Sequence, residues 1–205
     1  MGQRVFLIYG AGAMGSLIGG LLSKFYTTYL VARKRHVEMI SQKGLLIEGL
    51  TTGTFQPKAV TDLNALGELL AEDEQKITHC LVFTKSYDTR EALVEISQRS
   101  DIIGKDVVLI SLQNGMDNEK IFQEIMPSNP IIGGYTCHGV IHDLPGHIVH
   151  SGEGFTVIGS FANISDDQVA EFGNCLETIG ITPTNKEDIR NWIFKKVITN
   201  AAINP

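Results

Sequence analysis

The run Val5-Phe6-Leu7-Ile8-Tyr9 passes directly into Gly10-Ala11-Gly12-Ala13-Met14-Gly15, and that junction leaves few folds open. Five apolar residues stopped by glycine make a short buried strand, and residues 13–24 continue with helical spacing. A strand that turns into a helix through G-x-G-x-x-G opens a βαβ unit, and each glycine has its own task there. Gly10 permits the tight turn, Gly12 lets a pyrophosphate approach the backbone, and Gly15 lets the helix lie close on the strand. The helix N-terminus then faces the phosphates. The expected ligand is a dinucleotide held by Gly10, Ala11, Gly12, Ala13, Met14 and Gly15. A glycine-rich turn without a ligand is the plainer alternative.

The alternation continues. Further strand candidates are residues 29–32, 45–47, 80–84, 107–112 and 131–141, with helical segments near 37–41, 89–98 and 118–126. Strands alternating with helices predict an α/β fold of Rossmann type, a mostly parallel sheet covered on both faces. Residues 130–160 break the rhythm, with three strand-like runs and no room for a helix, so antiparallel pairing is expected there. A helix is expected over 165–180, with Asp166 and Asp167 in its first turn and Gly180 at its end. A last one starts near Asp188.

Composition narrows the partners. A net charge of -6 argues against nucleic acid and anionic membranes. The three cysteines, Cys80, Cys137 and Cys175, are far apart and in no CxxC pattern, so they read as buried thiols of a reducing compartment. The apolar start contains too many glycines for a signal peptide or a membrane span, and Phe6 stands where a myristoylation motif needs Ser or Thr. A cytoplasmic protein is expected. His138, His142, His147 and His150 crowd one region without HxxxH or HExxH spacing, and imidazoles with no metal are the default.

Three polar sites fall where strands end. After the second strand the chain reads Ala32-Arg33-Lys34-Arg35, where an NAD enzyme would carry an acidic residue. A guanidinium suits the 2′-phosphate of NADP instead, a solvated basic turn being the alternative. Thr84-Lys85-Ser86 and Gln113-Asn114-Gly115 follow two other buried runs, and both could face the cofactor. Asn-Gly is also a favoured turn pair in any protein. Near the end, Lys196, Asn200 and Asn204 recur every four residues in FKKVITNAAINP, which places three polar groups on one face of an apolar helix. Lys195 points about 100° away from that stripe.

Taken in order, GAGAMG at 10–15, VARKRH at 31–36, FTKS at 83–86, QNGM at 113–116 and the closing KKVITNAAINP resemble the ketopantoate reductase (2-dehydropantoate 2-reductase) family. The resemblance implies NADPH-dependent reduction of the 2-keto acid 2-dehydropantoate to pantoate, in pantothenate and coenzyme A synthesis. It also implies Lys196 as the general acid and Asn200 and Asn204 as substrate ligands. Asn114 would lie between nicotinamide ribose and substrate, while Lys85 and Arg33 would hold NADP(H). The family continues into an all-helical second domain, so residues 1–186 are expected to form the NADP-binding domain and 187–205 the first helix of a truncated second one. Any homo-oligomer would form through that domain. Two other readings stay open, a reductase of a different 2-keto acid and an NADP-binding module without catalysis. A β-hydroxyacid-type dehydrogenase is disfavoured, since its lysine motif stands in another context.

Overall fold

In the computed structural model, the backbone is described for residues 3–203 and side chains for residues 3–199. Twelve strands and seven α-helices are described, and they sort into two sheets. The large sheet holds β1 (Val5–Tyr9), β2 (Thr27–Val31), β5 (Lys58–Val60), β6 (His79–Val82), β7 (Val108–Ser111), β8 (Ile131–Thr136), β11 (Thr156–Ala162) and β12 (Pro183–Asn185). Their order is β12-β11-β8-β7-β6-β1-β2-β5. From β5 to β8 all neighbours are parallel, and β11 runs antiparallel to β8. The chain builds outward from β1 through β2 to β5, then returns to place β6 on the other side of β1. That reversal puts the topological switch point at the carboxyl ends of β1 and β6, the usual ligand position in open α/β sheets.

Alternation along β1 divides the core. Val5, Leu7 and Tyr9 face the cluster with α3 (Leu63–Glu72), α4 (Thr89–Ser97), α5 (Asn118–Ile125) and α7 (Ile189–Ile203). Phe6 and Ile8 face the cluster with α1 (Ala13–Leu22), α2 (Lys34–Lys43) and α6 (Asp166–Thr178). Buried on both sides, these strands read as continuous apolar runs. The capping box of Ser165 and Gln168 starts α6.

The second sheet, β4-β3-β10-β9, is built from β3 (Leu45–Gly49), β4 (Gly53–Phe55), β9 (Gly139–Leu144) and β10 (His147–Gly152). Here the 130–160 region pairs antiparallel, β9 with β10 and β8 with β11. The small sheet lies over the outer face of α1. A side chain at Gly20 would meet Leu45 Cδ2 at 2.9 Å and Ile47 Cδ1 at 3.0 Å. On the helix's other side, Gly19 meets Ile8 and Leu30 of the large sheet. Two adjacent glycines thus let one helix fit between two sheets.

Residues 53–77 hold elements that the sequence-based alternation leaves out: β4, β5 and α3. For α3 a signal exists, since Asp62 accepts from the backbone N–H groups of Asn64 and Ala65 and Leu63, Leu66 and Leu70 share its buried face. The three-residue strands offer too little pattern to read.

Candidate cofactor and catalytic site

The glycine loop leaves β1 at the switch point, and its three glycines are held in three different ways. Gly10 has φ +87, and a side chain there would meet the Thr84 nitrogen at 2.9 Å, so the loop after β6 touches the loop after β1. Gly15 lies 3.0 Å in the same sense from the Gly10 carbonyl and 3.1 Å from Ile8 Cγ2, which is the close helix–strand contact. At Gly12 a side chain would meet nothing within 4 Å. Protein packing does not demand that glycine. It keeps open ground at the start of α1, where Gly12 is the N-cap and no side chain caps the helix. The first intrahelical bond comes from Ser16 N to Gly12 O at 2.9 Å, so the N–H groups of Ala13, Met14 and Gly15 point out of the turn. Uncapped donors beside a bare backbone suit a phosphate.

Two loops complete the edge. Lys85 precedes a 3-10 turn over Ser86–Asp88, with its carbonyl accepting from Asp88 N at 2.8 Å while its side chain is exposed. Asn114 is likewise exposed, and its carbonyl accepts from Ser86 Oγ at 2.5 Å and Asn118 Nδ2 at 3.3 Å. Gly115, at φ +111, gives Ser86 room, since a side chain would sit 2.7 Å from its hydroxyl. Beneath them Gln113, buried, donates from Nε2 to Thr84 O at 2.7 Å and to Thr89 Oγ1 at 2.9 Å. The Asn-Gly pair is therefore a turn, and a turn whose backbone is fastened to the Lys85 loop. Ser86, Gln113 and Thr89 do this fastening; Ser86 and Gln113 fall inside the FTKS and QNGM stretches, which gave them no role, and Thr89 falls outside both. Polar side chains at the ends of buried runs are the available signal.

Arg33 is the N-cap of α2 directly after β2 and Ala32; its side chain is exposed and caps nothing. Lys34 and Arg35 beside it are exposed as well. No acidic residue occupies the end of β2.

Lys196 is half-buried on α7, with Nζ 5.9 Å from the ring centre of Tyr135, while exposed Lys195 lies over Trp192 at 5.2 Å. The register of Ile110 opposite Ile132 puts Tyr135, three residues on, level with Gln113. Lys196 thus lies by a ring that is level with Gln113, next to Asn114, while Lys195 lies by Trp192 of its own helix. The side chains of Asn200 and Asn204 lie outside the described residues. So do Ala201, Ala202 and Ile203 as side chains, and the three-membered stripe is described only at Lys196.

The histidines form pairs. His138 Nδ1 is 3.2 Å from His150 Nε2, and His142 Nε2 is 3.2 Å from His36 Nδ1. Burial, with His142 alongside, pushes His36 down to about 4. Among the described residues no three His, Cys, Asp or Glu side chains gather where a metal could sit. Cys80 and Cys175 are buried and Cys137 half-buried, all as free thiols. No helix among the described residues is long and apolar enough to cross a membrane.

With this geometry in place, comparison with known proteins decides the family. Residues 6–163 match the family model described as ketopantoate reductase PanE/ApbA. The chain belongs to the ketopantoate reductase family. A 2-dehydropantoate 2-reductase from Pyrococcus horikoshii is 36% identical over 200 residues, covering 97% of this chain and 61% of that protein. The chain thus spans about three fifths of the length of the curated relatives it matches. The crystal structure of 2-dehydropantoate 2-reductase from Methylococcus capsulatus superimposes with a TM-score of 0.81 at 29% identity, over 98% of this chain and 62% of that one. The ternary structure of D-mandelate dehydrogenase with NADH and anilino(oxo)acetate shares the fold, with a TM-score of 0.83 at 23% identity over 98% and 62% of the two chains.

Proposed function

We propose that this chain is the cofactor-binding part of an NADPH-dependent reductase that converts 2-dehydropantoate to pantoate. Residues 1–186 form the NADP-binding domain in this reading, and 187–205 begin a helical domain of the kind the longer relatives have room for. The observation that carries the reading is Lys196 Nζ, 5.9 Å from the ring of Tyr135 near the carboxyl end of β8, while the open Gly12 turn, Lys85 and Asn114 follow the carboxyl ends of β1, β6 and β7. Anion donors and a cation that can give up a proton meet at one strand edge.

NADPH supplies the hydride. The chain's own groups do the rest. The N–H groups at the start of α1 take the diphosphate, and the guanidinium of Arg33 takes the 2′-phosphate, which an acid there would repel. Lys85 adds positive charge beside the diphosphate. Asn114, held by its carbonyl to Ser86 Oγ, presents its amide to the nicotinamide ribose and the substrate. Reduction of a ketone leaves negative charge on oxygen, and the Lys196 ammonium supplies both the proton and the compensating charge. Asn200 and Asn204, one and two helical turns on, offer amide donors to the keto acid.

A second reading keeps the chemistry and changes the substrate. D-mandelate dehydrogenase, described in a ternary structure with NADH and anilino(oxo)acetate, shares the fold, which keeps a different 2-keto acid open as the substrate. The test is twofold. Calorimetric titration of the chain should give tighter binding of NADPH than NADH. NADPH oxidation should then be followed with 2-dehydropantoate and other branched and aromatic 2-keto acids, in the longest form that the gene encodes. Faster turnover of an aromatic keto acid would move the assignment to the second reading; no nicotinamide binding would sink both.

A further inference from the structure

The loop that takes the diphosphate and the turn that carries Arg33 belong to different βα units, yet two side chains join them. Ser16 is in the first turn of α1 and fully buried, and His36 is in the first turn of α2 and 3% exposed. His36 Nδ1 accepts the Gly146 N–H at 2.8 Å, with His142 Nε2 at 3.2 Å on the same side. The proton of the neutral ring therefore sits on Nε2, which donates to Ser16 Oγ at 2.9 Å. Ser16 Oγ in turn donates to the Ala11 carbonyl at 3.3 Å, while Ser16 N donates to the Gly12 carbonyl at 2.9 Å. At the other end, His36 N bonds the Arg33 carbonyl at 2.8 Å. From the Arg33 backbone to the Gly12 backbone the path is three hydrogen bonds long, and its middle, Ser16 and His36, is buried while both ends are exposed.

We propose that His36 is a positioning residue that fixes the spacing between the diphosphate loop and the Arg33 turn, so that one phosphorylated dinucleotide engages both together. The inference rests on the NADP(H) reading above. Without the link, α1 and α2 keep their apolar packing through Ile18, Leu22 and Ile40. Each binding element survives, but the distance between them is free to vary. A ligand that bridges the two then binds more weakly, and a ligand that needs only one does not.

The test compares NADPH, which spans both elements, with adenosine 2′-monophosphate, which reaches the Arg33 end alone. NADPH is titrated by calorimetry and the nucleotide by ligand-observed NMR, against wild type, His36→Ala, Ser16→Ala, the double variant and His36→Gln. Each alanine variant should weaken NADPH about tenfold, the loss expected of one buried hydrogen bond to a positioned group. The double variant should be no weaker than the worse single, because both cut the same link. The mononucleotide should change less than about twofold in each, and His36→Gln, which keeps a donor near Nε2, should bind NADPH almost as wild type does. Thermal melting of the ligand-free variants checks folding, and Ser16→Ala carries the comparison if His36→Ala does not fold. Unchanged NADPH affinity in Ser16→Ala, losses that multiply in the double variant, or an equal loss for the mononucleotide would overturn the proposal. A wild type that binds no NADPH would instead overturn the cofactor reading beneath it.

Discussion

The guanidinium of Arg33 stands where an acidic side chain would hold a ribose hydroxyl, and its exposure leaves it free to meet a phosphate. A charge-assisted contact of that kind is worth roughly 1.5–3 kcal/mol, or about one to two decades of affinity. Arg33→Ala should therefore lose about that much for NADPH and almost nothing for NADH; equal affinity for the two cofactors in the wild type would remove the basis for the assignment. Lys196→Ala, in a form of the protein that turns over, should lower kcat by about 10²–10⁴ while NADPH binding stays nearly intact. Near-normal turnover would mean that the proton comes from another group. At this scale the sequence shows where polar groups follow buried runs and hides what supports them. Arg33, Lys85 and Asn114 are legible because each follows a buried run, and helical phase alone separates Lys196 from Lys195. Ser86, Gln113, Ser16 and His36 act through partners 20 to 30 residues away, and no local pattern encodes such a pairing.

Among the elements, the start of α1 holds the glycines of the proposed diphosphate loop, and they can be told apart by substitution. Gly15→Ala places a methyl about 3.0 Å from the Gly10 carbonyl and 3.1 Å from Ile8, so strand or helix must shift. Overpacking of this sort costs about 1–3 kcal/mol, which lowers Tm by several degrees in a domain of this size. Gly12→Ala meets no protein atom within 4 Å at an ordinary negative φ, and Tm should stay within a degree or two. Its methyl instead occupies the ground of the diphosphate, so NADPH affinity should fall by tenfold or more. Thermal shift with and without NADPH reads both effects; a destabilised Gly12→Ala that still bound well would reverse the roles. The sequence signalled most strands of the large sheet through long apolar runs, with the three-residue strands β5 and β12, and the helix α3, the exceptions. The small sheet was less legible, because β3 to β10 is a parallel pairing between segments about a hundred residues apart. Only the antiparallel neighbours β9 and β10 announce themselves locally.

For the molecule as a whole, the buried imidazoles set the response to acid. His79 is stacked 4.9 Å from Phe6 and 6.2 Å from Phe172, and burial, with Arg4 nearby, pushes it down to about 4. His36 is depressed to about 4 by its own burial. Both folded values lie below the 6.5 of the exposed ring, so between those pH values the unfolded chain binds more protons. Their contribution is complete above about pH 6.5 and is lost as the pH falls toward 4. Each can remove up to about 1.4 kcal/mol per pH unit within that window. The paired carboxylates Asp62, Asp73, Asp101 and Glu124 are held below their usual range, so their losses come at lower pH. Glu119 works in the opposite direction, because burial raises it and its protonation favours the folded state. The histidines outnumber it, so the urea midpoint should fall steadily from pH 6.5 to 5. His79→Gln should start from a lower midpoint but fall with a visibly smaller slope, since one of the three depressed rings, His36, His79 and His138, is gone. A midpoint that stays level over this range in the wild type would mean that the rings reach water in the folded protein, and that the core around β1 and α6 is looser than its packing.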